Sequence, residues 1–138
     1  VFQTIATILA GSLLSKVFNG KEKRFILGAT VTSSILVLGF VYSDSLVISV
    51  ICLILVSMVS VSAFTAIFTW SHKIFDQSII GSSIGIINTG GTLGGFLAPM
   101  ILGYLIKIAM GSFTLAFMFM TVASLLCGLS VLLIKKSE

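Results

Sequence analysis

The chain has 138 residues, of which 57% are hydrophobic and only 9% are charged, and its formal net charge at pH 7 is +4. Soluble domains carry roughly 25% charged residues, so this composition excludes a folded domain with a water-facing surface. The eight basic residues lie between apolar runs, where membrane topology places them, and the positive charge therefore does not predict a nucleic-acid partner.

The apolar runs predict an all-α membrane protein. About 20 apolar residues span a bilayer as a helix, and in lipid every backbone polar group must be paired inside the protein. The runs are too long and continuous for barrel strands, which alternate in segments of about ten residues. We therefore predict five transmembrane helices, over about residues 1–17, 25–42, 46–70, 79–106 and 112–134.

The first span starts at Val1, with no charged segment before it. Because a secretory signal peptide begins with a positively charged segment, we interpret 1–17 as a transmembrane span and expect the chain to be cut from a longer protein. A basic connection leads to the second span. The glycines and cations in and around this connection are Gly11, Lys16, Gly20, Lys21, Lys23 and Arg24.

The third span is polar in its C-terminal half. Ser57, Ser60 and Phe64 can share one face of this helix, because side chains three or four residues apart lie together. The face is either the wall of a solute cavity, with an aromatic contact, or a set of hydroxyls that bond back to their own helix. These three residues are candidate solute-binding residues.

The segment 71–78 is predicted to be a loop and holds His72, Lys73 and Asp76. It is either a gating or pH-sensitive element or simply a solvated connection. Apart from Lys16 near the end of the first span, the spans lack charged residues, and proton coupling normally uses ionisable groups inside the membrane. A coupling residue is therefore expected outside this chain.

The fourth span is rich in small residues. These let membrane helices approach closely, which predicts a helix inside a bundle. Gly costs about 1 kcal/mol and Pro about 3 kcal/mol relative to Ala in a helix, so the helix either bends or slides during a conformational cycle or is static with a proline kink. The residues assigned to packing or conformational change are Gly81, Gly85, Gly90, Gly91, Gly94, Gly95, Pro99 and Gly103.

Asn88 is the one strongly polar side chain deep in a span. Either it binds a solute or it joins two helices through a hydrogen bond, and we keep it as a candidate solute-binding residue. Spans two and five each carry one narrow stripe of small residues on an apolar rod. That pattern predicts outer helices with lipid-facing backs.

The distribution of Lys and Arg predicts the orientation. Alternating the five spans places seven of the eight basic residues on one side and Lys107 alone on the other. We therefore expect a multi-pass protein of the cell membrane with a cytoplasmic C-terminus.

The sequence carries no Ser-His-Asp set, paired carboxylates, phosphate-binding loop or cluster of Cys and His with metal-ligand spacing. We predict that the protein is not an enzyme and has no metal or cofactor. Cys52 and Cys127 both fall in apolar runs and are interpreted as packing residues.

Two segments resemble a known family. Residues 11–16, followed by 20–24, are similar to the repeated loop signature of the major facilitator superfamily, with Ser15 where that signature has Asp and with a longer spacing to Gly20. Residues 85–103 resemble the penultimate helix of these transporters, particularly in the anion:cation symporter branch, which carries sugar acids and other organic anions. The start of span five, at 111–113, resembles that branch too.

The resemblance implies that the five spans are helices eight to twelve of a twelve-helix transporter. Span three would line the central cavity, span four would pack at the moving interface between two halves, and spans two and five would be lipid-facing supports. The implied function is secondary active transport of a small organic solute, an organic anion such as a sugar acid, by proton-coupled symport with alternating access. The implied partners are the bilayer, the solute and a missing N-terminal half.

Two other functions stay open from the residues alone. The chain is alternatively a structural or assembly subunit of a membrane complex without transport activity of its own. A membrane-embedded enzyme is the third possibility, and it would need catalytic polar groups from another part of the protein.

Overall fold

The computed structural model describes residues 20–134 continuously and, before them, only positions 4, 7, 8, 11 and 12. Each of the four helices in this part is long and apolar enough to cross a membrane. They are α1 Glu22–Val41, α2 Leu46–Ile74, α3 Ile80–Ile108 and α4 Thr114–Leu133.

The all-helical membrane architecture is therefore confirmed, but the predicted count of five spans is not matched. The described residues hold four spans, which overlap the predicted segments 25–42, 46–70, 79–106 and 112–134. The predicted span 1–17 lies outside the described residues except at the few positions given above, and so does Lys16.

Helix α1 lies at the centre of the described structure. It packs along both α2 and α4, whereas α3 makes only sparse contacts with α2 and α4. Ile26 of α1 is fully buried, and it forms a core cluster with Ala66, Trp70 and Val131 from the two neighbouring helices. Three helices thus share one core.

Among the described residues, two helices pack differently from the predicted placement. The span that corresponds to α3 was expected inside a bundle, yet none of its residues is buried. The span that corresponds to α1 was expected to be an outer helix, yet it lies between two others. The physical reason is that small side chains permit close approach but do not choose the partner.

Gly128 of α4 lies directly against α1. A Cβ atom there would overlap Thr30 Oγ1 and would lie 3.1 Å from Thr30 Cβ and 3.4 Å from Leu27 Cδ1. Only glycine leaves room for α1 at this position. The two helices pack closely here because a missing side chain lets membrane helices gain van der Waals contact.

Hydroxyl groups bond the same seam on one side of the glycine, towards the start of α4. Ser34 Oγ donates to the carbonyl of Thr121 at 3.3 Å, and Ser124 Oγ donates to the carbonyl of Thr30 at 3.2 Å. Towards the far end, the rings of Phe40 and Phe117 stack edge to face with 4.8 Å between their centroids. Steric fit and hydrogen bonds together join α1 to α4.

The connections are short. Ser43 Oγ accepts from the backbone N–H of Ser45 at 3.3 Å in the turn between α1 and α2. Met110 and Gly111 adopt φ angles of 53° and 90° in the turn between α3 and α4, a conformation that glycine adopts without strain. Residues 71–74, predicted as loop, are the last turn of α2, because Lys73 is tied to α1.

We expect Gly128→Ala to lower the free energy of unfolding by about 1–3 kcal/mol, the cost of overpacking a close contact. The matched control is Gly28→Ala in α1, since a Cβ at Gly28 meets nothing within 4 Å. That control should be neutral or stabilising by about 1 kcal/mol through helix propensity. Thermal unfolding in detergent, followed by circular dichroism, compares the two variants.

Removing the clash from the other side gives a further check. Adding Thr30→Ala to Gly128→Ala should restore part of the lost stability, because the overlapping hydroxyl is then gone. Equal melting temperatures for the Gly128 and Gly28 variants would contradict the close approach of α1 and α4.

Candidate functional site

A cavity of about 220 Å³ lies between α1, α2 and α4. We call it the hydroxyl cavity, because four hydroxyl-bearing residues line it together with Phe64. These four are Thr30, Ser33, Ser60 and Ser124. Phe64 is 54% exposed, and its ring is tilted against that of Phe68 at 4.7 Å between centroids. The cavity lies below the roughly 300–1,000 Å³ typical of drug-sized ligands, and Ala29, Ala63 and Ile67 add apolar surface to its wall.

The hydroxyls of α2 differ in what they bond. Ser57 Oγ donates to the carbonyl of Leu53 at 2.9 Å, and Ser62, Thr65 and Thr69 bond back to α2 in the same way. Ser60 instead faces another helix, with its Oγ 3.4 Å from Ser33 Oγ of α1. Of the predicted set, Ser60 and Phe64 therefore meet in one cavity, whereas Ser57 is not among the residues that line it.

Asn88 lies away from this cavity, on the exposed surface of α3. The glycines that surround it are equally open: a Cβ at Gly85, Gly91 or Gly95 would meet no atom within 4 Å. Thr89 and Thr92 donate to carbonyls of their own helix. The structure thus places Asn88 on a small-residue face of α3 that no described residue covers.

A charged cluster occupies the end of the molecule where α1 begins and α2 ends. The Glu22 carboxylate, 4% exposed, accepts hydrogen bonds from Lys73 Nζ at 2.5 Å and from the backbone N–H of Gly20 at 3.0 Å. Gly20 has a φ of 80°, which favours glycine. This ion pair joins the first turn of α1 to the last turn of α2.

The end of α4 lies beside the same cluster. Lys23 Nζ donates to the carbonyl of Ile134, directly after α4, and lies 5.5 Å from the centroid of the Trp70 ring. A cation near the last carbonyls of a helix is favourable. Charged groups therefore hold three helix ends together, while Lys21 and Arg24 remain exposed beside them.

The family model described as Major Facilitator Superfamily matches residues 1–138. The chain belongs to the major facilitator superfamily. Members of this superfamily are transporters, so the four apolar helices are membrane spans of a transporter. No curated protein and no solved structure matches the chain.

Within this transporter, the basic connection holds an acidic residue that sequence reasoning missed. Gly11 is exposed, and Gly20, Lys21, Lys23 and Arg24 gather at one end. Glu22 was passed over because it stands among lysines in the sequence, and its partner Lys73 lies 51 residues later. A single acid inside a basic run, at the first turn of an apolar helix, is the signal that was available.

Sequence reasoning also missed three of the four cavity hydroxyls. Thr30, Ser33 and Ser124 come from α1 and α4, which were expected to be supports facing lipid. The described residues contain no group of three or more His, Cys, Asp and Glu that could hold a metal ion. The chemistry that the site offers is hydrogen bonding by hydroxyls.

We expect Lys73→Met to lower the free energy of unfolding by about 1–3 kcal/mol, the cost of leaving a buried acceptor without its charged donor. The matched control is Lys107→Met, because Lys107 is an exposed cation at the opposite end of the described helices, and it should change stability little. Thermal unfolding in detergent again measures both variants.

A double-mutant cycle separates the ion pair from general effects of the substitution. Glu22→Gln combined with Lys73→Met should cost less than the sum of the two single changes, because the first removes the charge that the second exposes. Strictly additive losses would show that the pair contributes nothing to stability.

Proposed function

We propose that this transporter moves a small organic solute, an organic anion such as a sugar acid, by proton-coupled symport with alternating access. The observation that carries the transport class is the family match over 1–138 together with four membrane-spanning helices. The anion preference rests on the likeness of 85–103 to the anion:cation symporter branch. We further propose that the protein lies in the cell membrane with its C-terminus in the cytoplasm.

The hydroxyl cavity supports a role in binding the solute. Ser33 and Ser60 face each other with 3.4 Å between their oxygens, and hydroxyls serve as both donors and acceptors. Such groups match the hydroxyls and carboxylate of a sugar acid, and the exposed Phe64 ring beside them offers an apolar contact. We propose Ser60 and Phe64 as the principal solute contacts and Ser57 as a weaker one.

Helix α3 supports the alternating-access part of the proposal. Its small-residue face, which includes Asn88, has no cover among the described residues. We propose that the N-terminal half of the transporter packs on this face and shifts along it during transport, as small side chains allow close sliding contact. Asn88 then contacts either the solute or that half.

The charged residues of the described helices bear on proton coupling. They lie in terminal turns: Glu22, Lys23 and Arg24 begin α1, Lys73 ends α2 and Lys107 ends α3. Coupling normally uses ionisable groups within the membrane. We propose that the coupling residue belongs to the N-terminal half.

The test is uptake of a radiolabelled sugar acid into proteoliposomes that contain the transporter, with and without an inward proton gradient. The gradient should increase accumulation. We expect Ser60→Ala to raise the apparent KM about two- to tenfold, the worth of one neutral hydrogen bond. Phe64→Ala and Asn88→Leu should also reduce uptake.

The matched control is Ser62→Ala, because Ser62 lies on the same helix but donates to the carbonyl of Met58. Its KM should be unchanged. If Ser60→Ala and Ser62→Ala behave alike, the hydroxyl cavity does not bind the solute. If wild-type protein shows no accumulation of any organic anion tested, the proposed substrate class is wrong.

Orientation has its own test in intact cells. With Cys52 and Cys127 replaced by Ala, a cysteine introduced at Asp76 should be protected from a membrane-impermeant maleimide, and one introduced at Asp44 should be labelled. The reason is that the connection after α2 lies at the basic end, whereas the turn after α1 carries no basic residue. The reverse pattern of labelling would invert the proposed topology.

A further inference from the structure

A second, larger opening lies at the basic end of the described helices. It has a volume of about 700 Å³, and we call it the basic cleft; its polar and aromatic lining comprises Lys21, Glu22, Lys23, Arg24, Trp70 and Lys73. The solute-binding proposal makes no use of these residues. The basic cleft is at the opposite end of α1 from the Phe40–Phe117 contact.

The charge of the basic cleft favours an anion. Four cations and one carboxylate line it, which gives a formal charge of 4 − 1 = +3. The carboxylate, Glu22, is 4% exposed and bonded to Lys73. Among the described residues Lys21 and Arg24 have no acidic partner, and both are exposed. Guanidinium and ammonium groups both bind phosphate.

The basic cleft lies at the depth expected for the lipid headgroups. Glu22 begins α1 and Ile74 ends α2, so the opening lies where the apolar helices stop. Trp70 lines it and is 8% exposed, and Trp residues favour the boundary between membrane and water. Basic pockets between helices at a cytoplasmic membrane face bind anionic lipid headgroups.

An apolar groove continues from the basic cleft along the helices. It has a volume of about 300 Å³ between α1 and α2, and its lining includes Arg24, Phe25, Gly28, Ala29 and Val59. Arg24 lines both openings. Beside Gly28 the groove is open, because a Cβ there meets nothing within 4 Å. A charged pocket that leads into an apolar groove has the polarity of a phospholipid.

We propose that the basic cleft and the adjoining groove form a binding site for an anionic phospholipid, with Arg24 and Lys21 holding its phosphate and the groove holding an acyl chain. A free phosphate ion would use the charges but not the groove. The bound lipid would lie against the ends of α1, α2 and α4, the same ends that Glu22 and Lys23 hold together.

The fluorescence of Trp70 can be used to measure lipid binding. It is the one tryptophan in the 138 residues, so in protein that carries no other tryptophan its fluorescence reports on the basic cleft. The protein is reconstituted in two kinds of phosphatidylcholine vesicle. One contains phosphatidylglycerol whose acyl chains are brominated near the ester bond, and the other contains the same mole fraction of phosphatidylcholine brominated at the same position. Brominated phosphatidylglycerol should quench Trp70 more strongly, and rising salt should reduce this preference.

The variants identify the site. Arg24→Gln should lower the relative affinity for phosphatidylglycerol about fivefold, the value of one basic residue near the lipid surface, and Lys21→Gln with Arg24→Gln should lower it further. Gly28→Leu should weaken the preference by filling the groove. Lys107→Gln, at the other end of α3, is the matched control and should leave it unchanged.

Three results would overturn the proposal. Equal quenching by the two brominated lipids in wild-type protein at low salt would show that the basic cleft does not select anionic lipid. A preference that survives in the Lys21 and Arg24 double variant would place the lipid elsewhere. Loss of the preference on adding millimolar inorganic phosphate, at constant ionic strength, together with no effect of Gly28→Leu, would identify a free-anion site instead.

Discussion

The close contact between Gly128 of α4 and Thr30 of α1 is the constraint on which the rest of the described structure depends. Lipid provides no hydrophobic drive for helix pairing, so two membrane helices stay together through steric fit and hydrogen bonds. The missing side chain at Gly128 makes room for the Thr30 side chain of α1, and the hydroxyls of Ser34 and Ser124 then reach carbonyls across the seam. With α1 fixed against α4, the short turn at 43–45 brings α2 to the other side of α1. The hydroxyl cavity and the basic cleft are both spaces left between these three helices.

The helices could be located from the sequence because, in lipid, whether a segment is helical depends mainly on that segment itself. A backbone in the bilayer must pair its own polar groups, so an apolar run of sufficient length is a helix whatever lies beside it. Where an end depends on a distant residue, the same reasoning fails. Helix α2 continues to Ile74, four residues beyond the predicted end, since Lys73 binds Glu22 from another part of the chain. Hydropathy assigns polar residues 71–74 to a loop because it contains no information about that partner.

The sequence does not determine which small or polar residues make contacts between helices. Helix α3 has seven glycines and no buried residue, whereas α4 has one, Gly128, and it forms the tightest contact that the glycines make. Ser57 and Ser60 are equivalent by spacing, yet one bonds to its own helix and the other faces α1. In each case the outcome depends on the rotation of one helix against another, which the alternation of residue types leaves open.

The unequal packing of the four helices has a consequence for a transport cycle. Helices α1, α2 and α4 are joined by an ion pair, inter-helix hydrogen bonds and a contact that excludes even a methyl group, and interfaces of that kind do not deform gradually. Helix α3 is joined to them only sparsely. In the proposed cycle the three helices therefore move as one body and the hydroxyl cavity keeps its shape, while the glycine face of α3 is the surface on which contacts change. Binding geometry and conformational change are then carried mainly by different helices, so we expect a substitution at one of the α3 glycines to alter the rate of transport more than the affinity of the cavity for the solute.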